Sequence, residues 1–190
     1  MEIEVIYKDF PTIETDRLFI RKLTMEDAED MFDYASNDEV TKYVSWDTHR
    51  TIKDTKNFLS YVMDQYSQAK VAPLGVELKE TGKLIGTVDF VWWKPDHRTA
   101  EIGYVISHRY WGKGICTEAA KALIDFGFNQ MNLVRIQARC FVENIASAKV
   151  MEKCGMKYEG TLRKDLFSKG KHWDIKMYSI LRDEYFYSNR

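Results

Sequence analysis

Thr99-Ala100-Glu101-Ile102-Gly103-Tyr104-Val105-Ile106, then Ser107-His108-Arg109-Tyr110-Trp111-Gly112-Lys113-Gly114, then Ile115-Cys116-Thr117-Glu118-Ala119 read in one run as a strand, a glycine turn and a helix. Ala100, Ile102, Tyr104 and Ile106 recur at the period of two that defines one face of a strand, with Glu101, Gly103 and Val105 on the other. From Ile115 the period lengthens: Ile115, Ala119, Ala122, Leu123 and Phe126 share one helical face, opposite Glu118, Lys121 and Asp125. A helix start carries unpaired amides and a partial positive charge, so the intervening glycines predict a loop that can close on phosphate oxygens. Gly112 and Gly114 withhold the side chains that would obstruct that approach.

Upstream, Leu18–Leu23 reads as a first strand, and Thr24-Met25-Glu26-Asp27 caps a helix that reaches about Ala35. Thr51-Ile52-Lys53-Asp54 repeats the cap before a second helix carrying Ile52, Phe58, Leu59, Val62, Met63 and Tyr66. Leu74–Leu78 and Leu84–Trp92 flank Glu80-Thr81-Gly82 as a hairpin, so Thr99–Ile106 becomes the third of three antiparallel strands. Downstream, Leu133–Cys140 returns to period two, and Asn144–Cys154 is a short helix stopped at Gly155. Two strands, Met156–Leu162 and Trp173–Leu181, close the chain around an expected polar loop, Arg163–His172. Seven strands and four helices in this order make a mixed α/β (α+β) sheet that begins antiparallel and then acquires strand–helix–strand crossovers.

The chain has 190 residues, 45% hydrophobic and 14% aromatic, without a linker or a repeat, which predicts a single domain over 1–190 with a real core. Its 28 basic and 29 acidic residues nearly cancel, so no global field draws it to nucleic acid or an anionic membrane. The longest apolar run, Phe90-Val91-Trp92-Trp93, falls far short of the ~20 residues of a spanning helix. Met1-Glu2-Ile3-Glu4 lacks the features of a secretory signal, and the expected location is the cytoplasm. Cys116, Cys140 and Cys154 are odd in number and widely spaced, as buried thiols are; His49, His97, His108 and His172 are isolated, so no metal site is expected. No G-x-S-x-G elbow marks a serine hydrolase. Trp46, Trp92, Trp93, Trp111 and Trp173 come without a nucleic-acid motif and fit a core or a small-molecule pocket.

Two nucleotide readings of the glycine loop fail. Gly112-Lys113 is followed by Gly114 rather than Ser or Thr and has no glycine five positions earlier, so it is no Walker loop. Gly112-Lys113-Gly114-Ile115-Cys116-Thr117 lacks the third glycine of a dinucleotide fingerprint. Arg109-x-x-Gly112-x-Gly114 instead resembles the R/Q-x-x-G-x-G/A motif of the GNAT superfamily of N-acetyltransferases. The match extends through Ala100-Glu101-Ile102-Gly103-Tyr104, Thr117-Glu118-Ala119, Asn144-x-x-Ser147-x-x-Val150-x-x-Lys153-Cys154-Gly155-Met156 and Thr15-Asp16-Arg17-Leu18. This covers nearly the whole chain and is similar to the ribosomal-protein N-terminal acetyltransferase branch.

The resemblance implies a twisted, mostly antiparallel sheet splayed between its fourth and fifth strands, with acetyl-coenzyme A in the gap. It assigns the cofactor to Tyr104, Val105 and Ile106 of the strand, to Arg109, Trp111, Gly112, Lys113, Gly114, Ile115, Cys116 and Thr117 of the loop and helix start, and to Asn144, Ser147 and Lys153. Locally, Asn144 also reads as an N-cap with Ser147 at the third helical position. The expected reaction is direct attack of a neutral primary amine on the thioester, with Glu101 as general base and Ser147 near the thiol. Met151 stands where related enzymes often carry a tyrosine acid, which leaves Ser147, a water or no specific acid at all for the thiolate. The branch points to a protein or peptide N-terminus as acceptor, such as that of a ribosomal protein, in a monomer or homodimer. The alternatives are a small amine (a polyamine, an aminoglycoside or an amino-acid derivative) or a non-catalytic acyl-coenzyme A binding module.

Overall fold

A computed structural model describes residues 3–188, and the side chains of 5–187; part of the Met1–Glu4 start read above lies outside that range. The elements follow in chain order: α1 Ile3–Tyr7, β1 Ile13–Glu14, β2 Leu18–Lys22, α2 Ala28–Ala35, α3 Asp38–Thr41, α4 Ile52–Ser67, β3 Leu74–Leu78, β4 Lys83–Lys94 and β5 Thr99–Ile106. Then come α5 Ile115–Asn129, β6 Arg135–Phe141, α6 Ile145–Lys153, β7 Lys157–Ser168, β8 Lys171–Leu181 and α7 Arg182–Ser188. Among the described residues the strands form one eight-stranded sheet in the order β1-β2-β3-β4-β5-β6-β8-β7. All neighbours are antiparallel except β5 and β6. The seven strands and four helices read from the sequence are all present; β1 and the short α1, α3 and α7 are additions too brief to leave a period.

The capping signals act as their chemistry requires. Thr24 and Asp27 form a reciprocal capping box ahead of α2, as Thr51 and Asp54 do ahead of α4. Gly82 makes the β3–β4 turn at φ +66° and Gly155 follows α6 at φ +81°, conformations that cost a residue with a Cβ. α5 packs on the sheet face carrying Phe90, Ala100, Ile102 and Ile136, where Gly127 lets its backbone come close to Phe90 and Ile136. α2 and α4 cover the opposite face near Leu84 and Val105. The chain therefore has two layers of helix with the sheet between them, and the two faces of β5 look into different surroundings.

One expectation is corrected. Arg163–His172 is not a loop but the outer half of the β7–β8 hairpin, with Leu166 paired to Trp173, Phe167 to His172 and Ser168 to Lys171 across a turn at Lys169-Gly170. Its residues are mostly exposed, so neither face needs apolar side chains and the period of two disappears from the sequence.

Candidate active site

β5 and β6 start together and then part. Their parallel register covers only Thr99↔Arg135, Ala100↔Ile136 and Glu101↔Gln137, although β5 continues to Ile106 and β6 to Phe141. The β6-facing backbone edge of Gly103–Ile106 is thereby left without a sheet partner, and apart from the Ile106 carbonyl, which accepts from the Trp111 indole, its polar groups are open to a ligand strand. This is the splay that the resemblance implies.

Beyond β5, Gly112 and Gly114 take φ +74° and +77°, and Gly114 is the N-cap of α5. The first α5 amide bonded back to the chain is that of Glu118, to the Gly114 carbonyl at 3.0 Å, so those of Ile115, Cys116 and Thr117 face outward. A Cβ on Gly112 would meet nothing within 4 Å, and one on Gly114 only Arg17 Nη2 at 3.6 Å. The cradle is thus open space ringed by amides, with one guanidinium at its edge, and it fits a pyrophosphate. Glu118 fixes it from below: its carboxylate accepts from Thr15 Oγ1 at 2.6 Å, the Arg17 amide at 3.0 Å and Arg17 Nε at 2.7 Å. Arg17 Nη1 in turn donates to the Lys113 carbonyl at 3.0 Å. These bonds join the Thr15-Asp16-Arg17-Leu18 and Thr117-Glu118-Ala119 segments, which are neighbours only in the fold.

The expected cofactor residues separate in space. Tyr104, Val105 and Ile106 lie on the unpaired length of β5. Asn144 Oδ1 accepts from the Ser147 amide at 3.1 Å, so the N-cap role is real, and the side-chain Nδ2 of Asn144 has no partner among the described residues. Ser147 Oγ lies 3.0 Å from the Tyr104 hydroxyl, making a two-hydroxyl pair across the gap from β5 to α6. Burial, and then the nearby Cys116 thiol, push the Tyr104 hydroxyl well above its ordinary value, so it remains a proton donor. Arg109 reaches away from the cradle to Asp33 of α2, at 2.8 Å. Trp111 is 52% exposed, with its indole N–H on the Ile106 carbonyl at 2.7 Å. Lys113 stacks over Tyr110 at 5.3 Å, and Lys153 lines an open hollow of about 620 Å³ with Lys121 and Lys157, past the far end of α6. Met151 is buried in the core.

Glu101 sits on the other face of β5, and it is enclosed there. It is 3% exposed, with Oε1 2.9 Å from Arg139 Nε and Oε2 accepting from Gln137 Nε2 at 2.8 Å. Both partners come from β6, on the strand just across the opening. Sequence reasoning missed them because the pairings span the α5 crossover, and it missed Asp89 of β4, which faces Gly103 in the register. Alternation along β4 places Asp89 on the Glu101 face, the one α2 and α4 partly cover.

The three thiols cluster on the opposite face. Cys116, Cys140 and Cys154 are pushed up to about 12, 11 and 12 respectively, chiefly by burial. They stay protonated at neutral pH and are poor nucleophiles, despite lying beside the Tyr104–Ser147 pair.

Comparison with known proteins places this geometry. Residues 17–157 match the family described as an acetyltransferase (GNAT) domain. The N-acetyltransferase YoaA of Bacillus subtilis strain 168, itself uncharacterized, is 36% identical over 173 residues, 91% of this chain and 98% of that protein. A GNAT-family acetyltransferase structure from Bacillus anthracis superposes with a TM-score of 0.82 at 36% identity, covering 91% of this chain and 99% of that one. The microcin C7 self-immunity acetyltransferase MccE, solved with acetyl-CoA and AMP, superposes with a TM-score of 0.79 at 26% identity over 88% and 93% of the two chains.

Proposed function

This chain belongs to the GNAT acetyltransferase family and is an N-acetyltransferase that uses acetyl-coenzyme A; we propose that its acceptor is a primary amine, the terminal α-amine of a protein or peptide. The observation that carries the reading is the two-sided opening between β5 and β6. The hydroxyl pair of Tyr104 and Ser147 lies on its α5–α6 side, and the carboxylates lie on its α2–α4 side. Donor and acceptor can therefore approach the same unpaired strand edge from opposite faces, which is what direct transfer within one ternary complex requires.

Acetyl-coenzyme A supplies the activated acetyl group and a thiol leaving group. The amides of Ile115, Cys116 and Thr117 would hold its pyrophosphate, the unpaired edge of β5 its pantetheine arm, and the Asn144 amide nitrogen one of the arm's carbonyls. An amide N–H of Gly103–Ile106 turned to the opening would stabilise negative charge on the carbonyl oxygen. The Tyr104–Ser147 pair would return a proton to sulfur.

Acceptor chemistry favours the α-amine. At pH 7 an α-amine of pKa about 7.7–8 is roughly 10–15% neutral and a lysine amine about 0.04%, a difference of ~3.5 kcal/mol in forming the nucleophile. The candidate bases of the site are carboxylates, so an amine that needs little activation suits it. The test follows free-thiol release from acetyl-coenzyme A across peptides with free N-termini, N-blocked lysine peptides, polyamines and aminoglycosides. Turnover highest with free N-termini supports the reading; turnover confined to polyamines or aminoglycosides replaces the acceptor. Tight coenzyme A binding with no turnover on any amine leaves a binding module.

A further inference from the structure

We infer that Asp89 is the catalytic base that takes the proton from the acceptor amine, and that Glu101 beside it is a positioning carboxylate, held by Arg139 and Gln137. The inference deepens the amine-acetylation reading and rests on it.

The argument begins with which carboxylate is free. Both Glu101 oxygens are engaged, one with the Arg139 guanidinium at 2.9 Å and one with the Gln137 amide at 2.8 Å. A carboxylate so held is tied at both oxygens to side chains of β6. Asp89 is half-buried, and no side chain or amide of the described residues donates to its carboxylate.

Position is the second step. Asp89 pairs with Gly103, two residues beyond the last β5–β6 pair at Glu101. A Cβ on Gly103 would lie 2.9 Å from Asp89 Oδ1 and 2.9 Å from Val91 Cγ2. The carboxylate therefore leans over Gly103 of β5, at the level where that strand has lost β6, and only a glycine permits it. Cover from α2 and α4 ends here: Val105 packs beneath those helices, whereas Val91 is 46% exposed. An amine arriving from this side meets Asp89 before it meets Glu101.

Electrostatics gives the carboxylate a useful strength. Burial first, then the Glu101 charge, raise Asp89 from 3.8 to about 6. The other groups facing this region do not compete. The hydroxyls of Tyr7 on α1, Tyr34 on α2 and Tyr66 on α4 are each pushed upward by burial and remain neutral. Arg139 on β6 is committed to Glu101, with Asp165 at 3.8 Å behind it. A base with a pKa a little below neutrality is ionised at working pH yet accepts a proton readily.

In the step proposed, the neutral amine nitrogen forms a bond to the acetyl carbonyl carbon, and the carbon–sulfur bond breaks with its electron pair on sulfur. One nitrogen proton passes to Asp89 and from there to solvent. The thiolate takes a proton from the Tyr104–Ser147 pair, which water reprotonates.

The test is the pH profile of kcat/KM for wild type, Asp89→Asn and Glu101→Gln, with one α-amine acceptor and saturating acetyl-coenzyme A. Wild type should fall with slope one below the amine's own pKa of about 8 and with slope two below about 6. Asp89→Asn should lose on the order of 10²-fold at pH 7.5, keep its coenzyme A affinity, and show slope one throughout. Glu101→Gln should keep the second limb but move it to lower pH, because the neighbouring charge is gone. Gly103→Ala, whose Cβ displaces the carboxylate, should mimic Asp89→Asn and serves if that variant folds poorly. Full activity and an unchanged slope in both Asp89→Asn and Gly103→Ala overturn the proposal, as does loss of the second limb in Glu101→Gln alone, which would make Glu101 the base. Absence of turnover by wild type on any amine refutes instead the function on which the proposal rests.

Discussion

Gly112→Val isolates the phosphate cradle from the rest of the fold. The new Cβ meets nothing within 4 Å, so no packing is lost, and the structural cost is confined to placing a side chain at φ +74°. That conformation costs an L-residue ~1–2 kcal/mol, which in a chain of this size lowers Tm by ~2–8 °C. The cost to the ligand is larger. If the valine keeps the phosphates from two helix-start amides, and each such bond to a charged group contributes ~1.5 kcal/mol or more, coenzyme A affinity falls by ~3 kcal/mol, about 10²-fold. Calorimetric titration with coenzyme A reads this directly, and the melting curve reports whether the variant is folded. S-acetylpantetheine, which has no pyrophosphate, supplies the internal control: its kcat/KM should be the same for variant and wild type. A folded Gly112→Val protein with wild-type coenzyme A affinity would refute the cradle as the pyrophosphate site, and equal losses with both donors would show that the substitution damages the gap rather than the cradle.

Asn144→Asp keeps the oxygen that accepts the Ser147 amide, so unfolding free energy should hold within about 0.5 kcal/mol while calorimetry shows weaker coenzyme A binding, because a donor has become a charge. Tyr104→Phe removes the hydroxyl beside Ser147 Oγ and should lower kcat by on the order of 10-fold with little change in the KM for acetyl-coenzyme A, read by steady-state thiol release. Iodoacetamide at pH 7.5 should label Cys116, Cys140 and Cys154 only after denaturant is added, as mass spectrometry of the intact chain will reveal, since burial holds all three thiols protonated. Glu159 is held at about 2 by its hydrogen bonds to Arg135, against a modest opposing burial and with help from the Ser179 hydroxyl. Its folded pKa lies below the ordinary 4.5, so its contribution is complete above that pH and is lost as pH falls toward 2. With the side chain 40% exposed the effect is small, and Glu159→Gln should flatten only that acidic stretch of the stability curve.

What could be read from the sequence follows from which groups are constrained locally. Thr99–Ile106 has the same limits in sequence and structure because Ala100, Ile102, Tyr104 and Ile106 meet the core under α5 while the other face carries Glu101 and Gly103, so the period of two is written into the residue types. The α5 helix and its glycine start were legible for a related reason: Gly112 and Gly114 take positive φ just before the helix, a conformation glycine adopts at least cost. The outer β7–β8 hairpin was not, because both its faces meet solvent and no burial selects its residues. Arg139 and Gln137 were hidden by distance along the chain, since Glu101 meets them only after the α5 crossover. Nothing local in the Leu84–Trp92 segment singles out Asp89. Its meaning depends on Gly103 opposite and on β6 having turned away, and neither fact is local to Asp89.

The crystal structure of the protein with coenzyme A bound tests the central claim most directly. The account predicts the pyrophosphate on the amides of Ile115, Cys116 and Thr117, the pantetheine along the unpaired edge of Gly103–Ile106, and the thiol within hydrogen-bond reach of the Tyr104–Ser147 pair, on the face of β5 opposite Glu101 and Asp89. Coenzyme A lying instead in the hollow of Lys121, Lys153 and Lys157, with the β5–β6 opening empty, would contradict it.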